Sequence, residues 1–140
     1  MKALASGRWN LSAGLLGLAL FMVYGFILIY LRDFAPGAEQ WAADYGIGKH
    51  FEARLAHVHG ALFSLLNLAM GLVISRLNVG ERSRAGIAGL ALAGLLMPLG
   101  IVAELLLGAP PYMVLVGALA ILGAFGWAGV AALKGAPELA

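Results

Sequence analysis

The chain has 140 residues, 62% of them hydrophobic and only 11% charged, with a mean hydropathy of +0.93. That composition excludes an ordinary soluble globule, in which about a quarter of residues are charged, and a solvated disordered chain. With no cysteine and a net charge of only +2, thiolate chemistry, disulfides and iron–sulfur clusters are excluded, and nucleic acid is not an expected partner.

A hydrocarbon layer about 30 Å thick is crossed by about 20 apolar residues in a helix. Four runs of that length occur, over about 11–31, 55–75, 85–107 and 112–133. They predict an all-α protein, a single four-span transmembrane domain over residues 1–140 folded as a four-helix bundle. The first run follows a charged start, Met1 to Arg8. It is longer than a signal-peptide core and no Ala-x-Ala follows at once, so it is expected to be retained.

Between the first two runs lies a long loop from Arg32 to Arg54. It holds Pro36-Gly37 and then residues 38–45, good helix formers with Trp41 and Tyr45 among them. Those aromatic types favour the headgroup level, which predicts a short interfacial helix, ended by Gly46 and Gly48. In the third run Pro98 removes a backbone donor and predicts a kink. Gly108-Ala109-Pro110-Pro111 then turns the chain into the fourth run as a tight antiparallel hairpin.

Lys2, Arg8, Arg76, Arg82, Arg84 and Lys134 fall on one side of these spans, and Arg32, Lys49 and Arg54 on the other, mixed with Asp33, Glu39, Asp44 and Glu52. The bias places both termini in the cytoplasm and the 32–54 loop outside, as in a prokaryotic inner-membrane protein. Helices in lipid associate through small residues. Ala85, Gly89 and Ala93 recur at four on the third span, and Ala120, Ala124, Ala128 and Ala132 on the fourth. Both rows predict packing within the bundle, or an interface in a homo-oligomer.

Ionisable residues inside a span are costly and mark candidate sites. His50, Glu52, His57 and His59 lead into the second span, and Glu104 lies near the end of the third. Because these spans run in opposite directions, His57 and Glu104 are expected at one depth near the outer leaflet. His50 and His57 are seven apart and share a face, whereas His59 points almost the opposite way. Imidazoles and a carboxylate make a ligand set for copper, iron or zinc, here His50, His57 and Glu104, and equally a proton relay. A haem on His57 or His59 needs Met97 or Met113 as the other axial ligand, a five-coordinate iron, or a second subunit. Asn67, deep in the second span, reads as interhelical glue.

The run Ala56-His57-Val58-His59-Gly60-Ala61-Leu62 resembles the histidine-bearing helices of haem–copper oxidase and nitric-oxide reductase catalytic subunits. That resemblance implies a membrane redox association and covers under a fifth of the chain. Glu52-Ala53-Arg54-Leu55-Ala56-His57 resembles the start of the second span in the four-span enzymes of eicosanoid and glutathione metabolism. It implies lipid or glutathione chemistry. The leading expectation is a small membrane protein with a His57/Glu104 site that binds a redox metal or haem, or relays protons, in an electron-transport assembly with other membrane subunits. The alternatives are a non-catalytic accessory subunit and a lipid- or glutathione-modifying enzyme.

Overall fold

The computed structural model describes residues 2–134; Met1, part of the charged start, and the residues after Lys134 lie outside the described residues. The described elements are all helical: α1 (Lys2–Ala5), α2 (Arg8–Asp33), α3 (Ala38–Ala43), α4 (Gly48–Val73), α5 (Glu81–Ala93), α6 (Leu96–Leu107) and α7 (Tyr112–Lys134), with a 3₁₀ turn over Ile74–Arg76 after α4. Four stretches are long and apolar enough to cross a membrane: Arg8–Asp33, Gly48–Arg76, Glu81–Leu107 and Tyr112–Lys134. They contain the four predicted runs. The predicted loop helix forms as α3, while Gly48 starts α4 with a left-handed φ of +52°.

The third stretch is broken, and one turn earlier than Pro98 itself. Pro98 has no N–H to offer the Gly94 carbonyl, which instead accepts from Met97 at 3.0 Å. The Leu95 N–H likewise bonds Leu92 at 3.0 Å, a tightened 3₁₀ step that separates α5 from α6. After α6, Gly108 takes a φ of +63°, and the Ala109 N–H reaches back to the Ala103 carbonyl. This left-handed cap closes the predicted hairpin with α7.

α2 and α4 run antiparallel in the most extensive helix–helix contact of the described residues. A Cβ on Gly14 would lie 2.6 Å from the backbone nitrogen of Leu68, and Gly25 lies flat against the His57 ring. The two backbones therefore approach only because these positions carry no side chain. Ala124 and Ala128 of α7 are buried with Ile87, Ala88 and Ala91 of α5 in one apolar core, and Ala120 is buried as well. The fourth-span row thus packs within the molecule as predicted, save that Ala131 is buried and Ala132 is exposed. The third-span row does not: Ala85, Gly89 and Ala93 are only half-buried, and nothing lies within 4 Å of a Cβ built on Gly89. The face of α5 that packs is nearly opposite, two residues along, where Ile87 and Ala91 lie in the core with α7.

Two buried asparagines join three helices away from the 34–47 loop. Asn10 of α2 donates to Asn67 of α4 at 3.0 Å and to the Ala88 carbonyl of α5 at 3.0 Å. Asn67 donates to Ala91 at 2.8 Å and to Phe63 of its own helix at 3.1 Å. Ala91 lies in the last turn before the break in the third stretch, so Asn67 serves a carbonyl that the tightened step leaves short of its helical donor. Around this interior the outward side chains are apolar, with Leu16 72%, Leu119 68% and Phe26 67% exposed. So apolar an exterior, on four helices long enough to span, suggests an integral membrane protein.

Candidate functional site

The first turns of α4 carry the candidate residues, and the loop before them fixes their positions. His50 is buried (4% exposed) because α3 folds back over it. Its ring stacks on Trp41 with centroids 4.4 Å apart and 15° between planes, and it meets the Tyr45 ring edge-on at 5.3 Å. The Nδ1–H of His50 donates to the Trp41 carbonyl. Arg54, one turn further along α4, lies over the Tyr45 ring at 3.4 Å and donates to the Tyr45 carbonyl at 2.9 Å. Two α4 residues thus clasp the loop, each through an aromatic face and a backbone carbonyl.

His57 follows on the same side of α4. It is half-buried, with its ring on Gly25 and 6.2 Å from that of Tyr24. Its Nδ1 is buried and has no hydrogen-bond partner. His50, Arg54 and His57 line an open groove of about 420 Å³ between α4 and α2, with Tyr45 and Arg32 at its rim and Met22, Phe26 and Ile29 along its apolar wall. The groove has no acidic lining residue. Its two arginines differ. Arg32 is held by two 2.7 Å bonds to Asp33, the single salt bridge among the described residues. Arg54 also lines the groove and forms no salt bridge among the described residues.

The predicted site residues separate into two groups. His50 and His57 share the groove, as their seven-residue spacing requires. His59 turns to the other side of α4, bonds the Leu55 carbonyl at 2.9 Å and lies near Phe63. Met113 touches Gly100 at the contact of α7 with α6. Glu104 is half-buried in α6, with Oε1 buried and unpartnered, and forms no salt bridge with a histidine. The end of α6 does reach the predicted depth: Val102, Leu105 and Leu106 line a second slot with Ala53, Lys49 and Tyr24. Equal depth therefore does not bring Glu104 into the groove of His57. Among the described residues, no three of His, Cys, Asp or Glu gather closely enough to hold a metal ion.

Asn10, Arg32 and Arg54 carry much of this polar architecture, and the sequence reading assigned them no role in it. Arg54 stands three residues before His57, on a neighbouring part of the same helix face, and that spacing was the available signal. No family model, curated protein or solved structure matches the chain.

Proposed function

We propose that this chain is an integral membrane protein, its four long helices inserted as a bundle with the 34–47 loop outside, that binds an amphiphilic ligand in the groove of His57. The groove carries the reading. It joins a guanidinium that forms no salt bridge among the described residues and an imidazole to an apolar wall open to the lipid side, the lining expected for a molecule with one polar and one apolar end. The glycine-mediated contact of α2 with α4 holds that wall, and the loop clasp holds the polar mouth. The residues that do the work are Arg54, His57 and His50. Purification in mild detergent, organic extraction and mass spectrometry should recover an amphiphile from the native protein and less from His57→Ala. Equal recovery from both would reject the reading.

A redox centre is the second reading, favoured by one observation. His50 donates its Nδ1–H to a carbonyl, the arrangement that leaves Nε2 of an imidazole free to ligate. His57 does not share it, since its Nδ1 has no partner to orient the ring. A metal or haem in the groove would rest on these two histidines, with further ligands from outside the groove or from a partner subunit. Elemental analysis and an absorption spectrum test this: metal or a Soret band lost in His50→Ala would establish it, and a colourless, metal-free protein would reject it.

A further inference from the structure

We infer that the groove ligand is an anionic glycerophospholipid, its phosphate on Arg54 and an ester carbonyl on His57; this assignment rests on the amphiphile reading above.

The anion preference comes from charge. Arg54 is held flat on Tyr45 at 3.4 Å and spends one N–H on the Tyr45 carbonyl. A guanidinium has five donors in a fixed fork, so the rest of the fork remains for an oxyanion. Arg32 is neutralised by Asp33, and no acidic residue lines the groove. Arg54 is therefore the groove's one arginine without a salt bridge among the described residues, and its remaining donors favour a headgroup that is negative overall above a zwitterionic one.

The second contact comes from spacing and tautomer. Arg54 and His57 are three residues apart, about 4.5 Å along the axis of α4. A buried donor without a partner is rarer and costlier than a buried acceptor without one. Since Nδ1 of His57 is enclosed without a partner, the ring proton belongs on Nε2. Nε2–H can then donate to an acceptor one step deeper than the phosphate. A glycerophospholipid places its ester carbonyls below its phosphate in that order. A fatty acid has only one polar group and leaves His57 unused. The acyl chain then continues along Phe26 and Met22, which lie deeper on α2 than Ile29 and Arg32.

The test uses the full chain in a non-ionic detergent. Native mass spectrometry follows titration with dioctanoyl phosphatidylglycerol, dioctanoyl phosphatidylcholine, decanoate and inorganic phosphate. The native protein should bind the phosphatidylglycerol at least tenfold more tightly than the phosphatidylcholine. Arg54→Gln should lose that preference, while Lys49→Gln should keep it. Circular dichroism and gel filtration identify any variant that fails to fold, and Arg54→Lys, which keeps the charge but not the fork, should then show an intermediate loss. Unchanged preference in folded Arg54→Gln or Arg54→Lys overturns the assignment. So does inorganic phosphate or decanoate that competes as well as the lipid. If His57→Ala loses an extracted amphiphile while the Arg54 variants bind phosphatidylglycerol as before, the lipid assignment fails and the groove reading stands. If neither site matters, both fail.

Discussion

The molecule has two polar regions inside an apolar chain, and they differ in what their hydrogen-bonding groups do. At the asparagine node, three side-chain bonds join α2, α4 and α5 and a fourth lies within α4, and among the side-chain nitrogens and oxygens of Asn10 and Asn67 only Asn10 Oδ1 is left without a partner. At the groove, Arg54 keeps free donors and His57 makes no hydrogen bond through its buried Nδ1. A polar group in a low-dielectric interior is costly unless bonded. The node spends its side-chain donors inside the protein, with one acceptor left over, and is therefore structural. The groove leaves donors of Arg54 free, which marks the place where another molecule supplies acceptors.

Four substitutions sharpen this contrast, taken from the largest expected effect on stability to the smallest. Asn67→Leu removes two donors and the acceptor of Asn10, and should cost about 2 kcal/mol in a detergent-unfolding titration. A cost near zero would mean the node is not glue. Trp41→Ala removes the ring stacked on His50 and should cost about 1 kcal/mol, with earlier proteolysis in the 34–47 loop. Glu104→Gln replaces a carboxyl whose Oε1 is buried and unpartnered, and should leave the thermal midpoint unchanged or raise it by roughly 1 kcal/mol of added stability. A large fall would show that Glu104 has a structural partner in the membrane. His57→Ala should alter stability by less than about 0.5 kcal/mol while reducing ligand recovery, because its ring nitrogens hold nothing within the protein. If His57→Ala unfolds the chain as readily as Asn67→Leu, the two regions are alike and the contrast fails.

Much of the fold was legible in the sequence because long apolar helices announce themselves by length and apolarity alone. The loop helix was legible from Trp41 and Tyr45 among helix formers, and the α6–α7 turn from Gly108 and two prolines. The α5–α6 break was legible only as a kink near Pro98, since its place depends on which carbonyl loses a donor. The small-residue rows were partly misleading: spacing by four finds a smooth face on any Ala- and Gly-rich helix, but not which face meets a neighbour. The extensive contact of α2 with α4 uses Gly14 and Gly25, on a helix whose glycines do not form one such row.

Sequence by itself determined the local and periodic facts: four long apolar helices, and His50 and His57 on one face with His59 opposed. A helix is a rigid ruler, so residues seven apart on it align wherever it is placed. Only the tertiary structure decided which neighbour that face meets. Rotation of α6 about its own axis leaves Glu104 outside the groove at the expected depth, and folding of the loop onto α4 stacks Arg54 and Tyr45 at its mouth. Such rotations and docking are set by packing between segments distant in the chain, which no single helix period encodes.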